Sequence, residues 1–330
     1  MKGAPDHAQR SRDVRPGAKI LATGLVAVVM SAMPMNDARS TGVTAQATPW
    51  RLPSPVYRTV AVASGGRIYV LGGHDSAGGS VTSVIRFDPG TGKSAVVGSL
   101  ALPTHGAAAA VLGGKILVFG GASLQVHDTV QEFDPATGKT KVVGYMPIVR
   151  ADTTAASVGN EVVLLGGFDG YGPQGDVWAT AGGTSFRVVA HLAQPVRYPA
   201  VAVQGSDVYV FGGLISGGEY NGLFTSDIQE VEPTSGTARV VGHLPQPLAH
   251  AMGTSIGGRL FVIGGSTQTG PSRQVLQFDA AKASVSLVTR LPQPLTDAAV
   301  ATIGTTAYLL GGMSTSGPLG TVMFVRAVSR

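Results

Sequence analysis

Six register-equivalent positions carry the side chains that suggest a binding or proton-transfer site. Each stands fourteen residues before a Gly-Gly pair, and they are Arg58, Gly106, Asp152, Tyr198, His250 and Asp297. We call these six residues the collar. Histidine and aspartate act as general acids and bases, tyrosine offers a ring and a hydroxyl, and arginine donates to anionic oxygens. The collar therefore predicts a polar pocket for a small ligand or a glycan.

Other polar residues stand next to the collar or in the loops that follow the Gly-Gly pairs. With these included, the candidate ligand-binding residues are Arg58, His105, Arg150, Asp152, Arg197, Tyr198, His250, Asp297, His74, Tyr171 and Tyr220. For each of these residues, the alternative to ligand binding is that it is polar only because loops are exposed to water. Linear spacing does not show that His250 meets Asp152 or Asp297, so no catalytic residue is assigned.

Metal and cofactor chemistry finds little support in the sequence. Two His-Asp pairs, at 74–75 and 127–128, could each give two ligands, but a full site needs further ligands from elsewhere. The chain has no cysteine, which excludes disulfides, thiolate catalysis and cysteine-bound metals. We predict no metal and no cofactor.

The elements that position the collar repeat six times. The Gly-Gly pairs at 72, 120, 166, 212, 264 and 311 are separated by 48, 46, 46, 52 and 47 residues. Each repeat has a small-residue strand, a strand apolar on both faces such as "VVLL", the Gly-Gly pair, a third strand and an outer strand. A strand buried on both faces needs a neighbouring sheet on each side. This period and pattern predict an all-β, six-bladed propeller at 43–330.

The ends of the chain complete one another. The sixth repeat stops after its third strand at "TVMFVRAV", whereas "AQATPWRLPSP" at 45–55 precedes the first repeat and matches the ends of the outer strands. The N-terminal strand is therefore expected to complete the last blade and close the ring.

The repeated strand, Gly-Gly pair and "FDPGTGK" or "FDPATGK" turn resemble the kelch repeat over residues 45–330. The resemblance implies a kelch-type propeller of the galactose oxidase central-domain-like superfamily, in which ligands bind where loops meet the central channel. Related propellers include copper radical oxidases and proteins similar to sialic acid mutarotases. The copper oxidases need a cysteine cross-linked to tyrosine, so the absence of cysteine excludes their activity. Of the arginines many kelch repeats carry before the first strand, only Arg150 is present.

Residues 1–40 form a separate segment. Five basic residues precede "ILATGLVAVVMSAMPM" at 20–35, which is the order of a secretory signal or a membrane anchor. We expect a cytoplasmic N-terminus and an extracytoplasmic propeller, secreted or membrane-anchored. Both a cleaved signal and a retained anchor fit. The body carries 18 basic and 16 acidic residues without a basic cluster, so nucleic acid is not expected as a partner.

Two functions fit this sequence. The first is an exported, monomeric and non-catalytic binding module for a protein or carbohydrate partner. The second is an enzyme acting on a sugar or glycan at the mouth of the central channel, similar to the mutarotases. Geometry separates them, because an enzyme needs an aspartate or histidine that faces a pocket with a perturbed pKa.

Overall fold

The computed structural model describes residues 42–218 and 222–327. The chain enters the fold through β1 (Val43–Arg51), which belongs to the last blade. The strands of blades 1 to 3 are β2 (Val60–Ser64), β3 (Arg67–Leu71), β4 (Ser83–Phe87), β5 (Ser94–Ser99), β6 (Ala108–Leu112), β7 (Lys115–Phe119), β8 (Thr129–Asp134), β9 (Lys139–Tyr145), β10 (Thr154–Val158), β11 (Glu161–Leu165), β12 (Gln174–Thr180) and β13 (Arg187–Val196).

Blades 4 to 6 add short hairpins in the loops that follow the Gly-Gly pairs. Their strands are β14 (Ala200–Gln204), β15 (Asp207–Phe211), β16 (Leu214–Ser216), β17 (Leu223–Phe224), β18 (Asp227–Glu232), β19 (Thr237–His243), β20 (Met252–Ile256), β21 (Arg259–Ile263), β22 (Ser266–Thr267), β23 (Gly270–Pro271), β24 (Gln274–Asp279), β25 (Ser284–Arg290), β26 (Ala299–Ile303), β27 (Thr306–Leu310), β28 (Met313–Ser314), β29 (Gly317–Pro318) and β30 (Thr321–Ala327). A 3-10 turn at Ala280–Lys282 precedes β25.

The six four-stranded antiparallel sheets confirm the predicted propeller. Five follow chain order, and the sixth has the order β1-β30-β27-β26. Strand β1 pairs with β30, from Val43 opposite Ala327 to Arg51 opposite Thr321. The predicted closure of the ring by the N-terminal strand is therefore confirmed.

This closure bears on processing of the N-terminus. The A-x-A sequence at 45–47 lies inside β1, and Val43–Ala47 supply five of the six β1–β30 residue pairs. A cut after Ala47 would remove most of this pairing. The basic and apolar segment itself lies outside the described residues, so export stays a prediction. Within the described ranges, no helix is long and apolar enough to cross a membrane.

Most of the core consists of one apolar cluster between each pair of neighbouring blades. The cluster between blades 3 and 4, for example, packs Val163 and Leu165 of β11 against Val208 and Val210 of β15. Blades 6 and 1 pack in the same way, with Leu310 and Ile68 in one cluster. Because a blade is apolar on both faces, only a closed ring buries all of them.

The Gly-Gly pairs fasten each blade to the next. The first glycine has positive φ and faces a main-chain carbonyl of the following blade, so that a Cβ on Gly120 would lie 2.2 Å from the Arg150 oxygen. The second glycine donates its N–H to that same carbonyl, as Gly121 does at 2.8 Å. The equivalent bond between Gly312 and the Val56 oxygen, also 2.8 Å, crosses the closure of the ring. Glycine is needed here for both conformation and space.

Two glycines on blade 2 separate these two requirements. Gly120 and Gly113 share a φ of +57°, but a Cβ on Gly113 would meet nothing within 4 Å. Gly113→Ala should lower the free energy of unfolding by about 1–2 kcal/mol, because it adds only left-handed backbone strain. Gly120→Ala should lower the free energy of unfolding by about 1–3 kcal/mol more than Gly113→Ala, because its Cβ also displaces the Arg150 carbonyl. Urea unfolding of both variants measures the difference, and equal losses would contradict a blade-to-blade role for Gly120.

Candidate functional site

The collar residues form a closed cycle of main-chain hydrogen bonds around the central channel. Each donates its N–H to the carbonyl of the collar residue in the preceding blade. Gly106 of blade 2, for example, donates to the Arg58 carbonyl at 2.9 Å, and Arg58 closes the cycle by donating to the Asp297 carbonyl at 2.9 Å. All six adopt φ between 51° and 60°. Left-handed backbone costs an L-residue energy, and such strain in a non-glycine residue points to a functional site. The cycle holds five side chains at one end of the channel.

A cavity of about 210 Å³ lies at this collar, and we call it the mouth cavity. Its rim is the collar, and its wall continues onto the residues that directly precede the first strands, including Thr59, Ala107, Thr153, Pro199 and Ala251. The mouth cavity therefore has a polar rim and a largely apolar wall. Such a combination orients a small ligand while excluding water from part of it.

One side of the rim is a cluster of two arginines, a carboxylate and a phenol. Asp152 accepts from Nη2 of Arg58 (2.7 Å) at Oδ1 and from Nη2 of Arg197 (2.6 Å) at Oδ2. The Tyr198 hydroxyl oxygen accepts from the same two guanidinium groups, with a distance of 2.7 Å to Arg197. Charge-assisted bonds of this kind are the strong ones, so the cluster holds a fixed geometry.

Gly106 is the member of the collar without a side chain, and the cluster depends on it. Arg58 belongs to blade 1 and pairs with Asp152 of blade 3, across the position that Gly106 occupies in blade 2. A Cβ on Gly106 would lie 2.5 Å from Asp152 Oδ1. A larger residue there would displace the carboxylate or the arginine that binds it.

Arg197 supports the cluster from behind the collar. Its guanidinium lies 4.1 Å from the Phe168 ring centroid and 4.6 Å from that of Tyr198, so it is sandwiched by aromatic faces. Its Nε has no hydrogen-bond partner in the described part of the chain. Phe168 was missed by sequence reasoning. It could have been found as the residue directly after Gly167, in register with His74.

The other side of the rim is a histidine–aspartate pair. His250 Nδ1 lies 2.8 Å from Asp297 Oδ1, and Thr296 donates to Asp297 Oδ2 at 3.2 Å. The His250 ring stacks on Tyr198 with centroids 3.8 Å apart. No hydrogen bond to His250 Nε2 is found among the described residues, and His250 lines the mouth cavity. This nitrogen is therefore free to meet a ligand.

The electrostatics keep Asp297 ionised. Burial raises the pKa of the Asp297 carboxyl, but the charge and hydrogen bond of His250, with Arg58 and Thr296, outweigh burial and hold that pKa below its usual value. One guanidinium group, that of Arg58, and two carboxylates, those of Asp152 and Asp297, line the mouth cavity.

His105 and His74 form a separate cluster beside the collar. Their rings stack with centroids 3.8 Å apart, and His105 Nδ1 lies 2.8 Å from Ser80 Oγ. Neither residue lines the mouth cavity. Burial, the charge of Arg58 and repulsion from His74 lower the pKa of His105 to about 3, although Asp152 opposes this shift.

The remaining candidates lie away from the mouth cavity. Arg150 is fully buried, with its guanidinium 3.7 Å from the Trp178 ring centroid and Nη1 donating to the Asp176 carbonyl at 2.9 Å. Burial lowers its pKa to about 10. Tyr171 is 97% exposed at a loop tip. Tyr220 lies outside the described residues. No group of three or more potential metal ligands occurs within residues 42–218 and 222–327.

Comparison with known proteins agrees with the fold. A family model described as the Kelch motif matches residues 55–100 and 103–146, which are blades 1 and 2. The protein is a kelch-repeat propeller. This kelch propeller is similar to a solved structure described as "Structure of YjhT", with a TM-score of 0.73 and 15% identity. The match covers 84% of this chain and 97% of that one, and it concerns the fold alone. No curated protein sequence matches the chain.

The low pKa of His105 predicts a neutral ring at acidic pH. Its imidazole ¹⁵N shifts should stay those of a neutral ring down to pH 4, whereas the histidines of the denatured chain titrate near 6.5. Because the unfolded state then binds a proton that the native state does not, His105 lowers stability as pH falls from about 6.5 toward 3. His105→Gln identifies the signal in the spectrum. If the His105 ring becomes protonated above pH 5, its pKa is not lowered as its burial implies.

Proposed function

We propose that this kelch propeller binds a single sugar unit in the mouth cavity. The observation that carries the proposal is a cavity at one end of the central channel whose lining includes His250, Tyr198, Asp152 and Arg58. Sugar hydroxyls both donate and accept hydrogen bonds, and this rim supplies partners of both kinds.

The size of the cavity favours one sugar unit over an oligosaccharide. Its volume of about 210 Å³ is below the ~300–1,000 Å³ of pockets for drug-sized ligands. The polar side chains are also recessed, with Asp152, His250 and Asp297 only 2%, 4% and 14% exposed. A ligand must enter the cavity to reach them. A flat protein surface could not, and this argues for the carbohydrate partner over the protein partner.

A second candidate function is proton transfer on the bound sugar. The His250–Asp297 pair favours it, because Asp297 fixes the ring through Nδ1 and leaves Nε2 toward the cavity. Neutral His250 could take the proton of the anomeric hydroxyl while the ring C–O bond breaks and the ring oxygen receives the proton of the Tyr198 hydroxyl, whose oxygen already accepts from Arg58 and Arg197. The reverse step closes the ring on either face, so anomers exchange without a cofactor.

Sugar binding is tested by calorimetric titration with a panel of hexoses, N-acetylhexosamines and hexuronic acids. We expect binding that weakens about 10–100-fold in Asp152→Asn, because a buried charged bond is lost. Tyr171→Ala removes an exposed aromatic ring outside the cavity and should bind like the natural chain. If no sugar binds, or if only Tyr171→Ala loses binding, the mouth cavity is not the sugar site.

Proton transfer is tested on the sugar that binds. A freshly dissolved single anomer is followed by NMR, and the propeller should speed its equilibration. His250→Asn should lower the protein-catalysed rate by about 10²–10⁴ with the fold intact by circular dichroism. Equilibration no faster than in buffer would leave a non-catalytic binding module.

A further inference from the structure

The central channel contains a second cavity, which we call the lower cavity. Its volume is about 400 Å³, and it lies farther along the first strands from the collar. Residues common to the walls of both cavities are Ala61, Ala109, Ala155, Val201 and Gly253. They stand in register, eleven residues before the Gly-Gly pairs. The two cavities therefore share one ring of residues, here named the neck.

The neck is built from small residues. It contains no side chain larger than valine among these five positions, and Gly253 has none. A Cβ on Gly253 would lie 2.3 Å from the Val201 N and 2.4 Å from its O, because β14 and β20 approach closely. At these five positions no large side chain therefore separates the mouth cavity from the lower cavity.

The walls of the two cavities differ in chemistry. Alternate residues of a strand face the same side, so the layer below the neck lies two residues farther on, about 7 Å at the rise of a β-strand. This layer consists of Ala63, Val111, Ser157, Val203, Ser255 and Thr302. In the described part of the chain, the lower cavity is lined by alanine, valine, glycine, serine and threonine. The Thr302 hydroxyl is already bonded to that of Thr254 at 2.6 Å.

We propose that the ligand is an amphiphile, with a sugar head in the mouth cavity and an unbranched hydrocarbon tail that passes the neck into the lower cavity. The inference rests on the proposed function for its head group. The charged side chains lie at the collar, whereas the lower cavity is lined by alanine, valine, glycine and hydroxyl residues, so the channel changes from charged to uncharged along its axis. Together the two cavities reach the ~300–1,000 Å³ of sites for larger ligands.

Matched methyl and hexyl glycosides of the same sugar panel test this inference by calorimetric titration. Hexyl glycosides should bind more tightly, by up to about fourfold for each methylene that is buried. Ser157→Phe places a large ring in the lower cavity and should abolish this gain without weakening the methyl glycosides. Ser286→Phe adds the same ring to the exposed outer strand β25 and should behave like the natural chain.

The outcomes distinguish the two proposals. If methyl glycosides bind and hexyl glycosides bind no better, the tail is wrong and the sugar site stands. If neither binds for any sugar, both proposals fail. A tail gain that survives in Ser157→Phe would place the tail on the surface and overturn the inference. Ser255→Leu fills the same layer and provides the test if Ser157→Phe does not fold.

Discussion

The structure depends on hydrogen bonds that run from blade to blade and close on themselves. One cycle joins the collar N–H and carbonyl groups, and another joins each second glycine to a carbonyl of the next blade. Both cycles use main-chain atoms only, so the hydrogen bonds themselves do not depend on which side chain a collar residue carries. Side chains can therefore vary around the ring while their Cα positions stay fixed. Blade 2 carries glycine and blade 3 aspartate at the same geometric point.

Much of the fold was predictable because the same strand and glycine pattern occurs six times in the sequence. Strand order, the double glycine and the missing outer strand at the end of blade 6 are all visible in one dimension. The short hairpins of blades 4 to 6 were not predicted, because the loops after the Gly-Gly pairs have no common pattern. A loop that packs on its own blade leaves no repeated signal.

The site was predictable in position and unpredictable in contacts. Counting from the Gly-Gly pairs finds the five collar side chains that line the mouth cavity. It does not reveal that Arg58 reaches Asp152, because this contact skips a blade and depends on the missing side chain of Gly106. Arg150 stands two residues before Asp152, yet its side chain turns into the protein toward Trp178. Whether a neighbouring residue faces the channel or the core is decided by packing that linear spacing does not contain.

The place where the ring is closed matters for the cavity it surrounds. The strand β1 is the outermost of blade 6, separated from the channel-lining strand β26 by β30 and β27. All six channel-lining strands therefore lie in one uninterrupted stretch of chain. If β1 separates from β30, the outer edge of β30 loses its partner, whereas no channel-lining strand does. The closure of the propeller therefore lies on a different strand from its candidate chemistry.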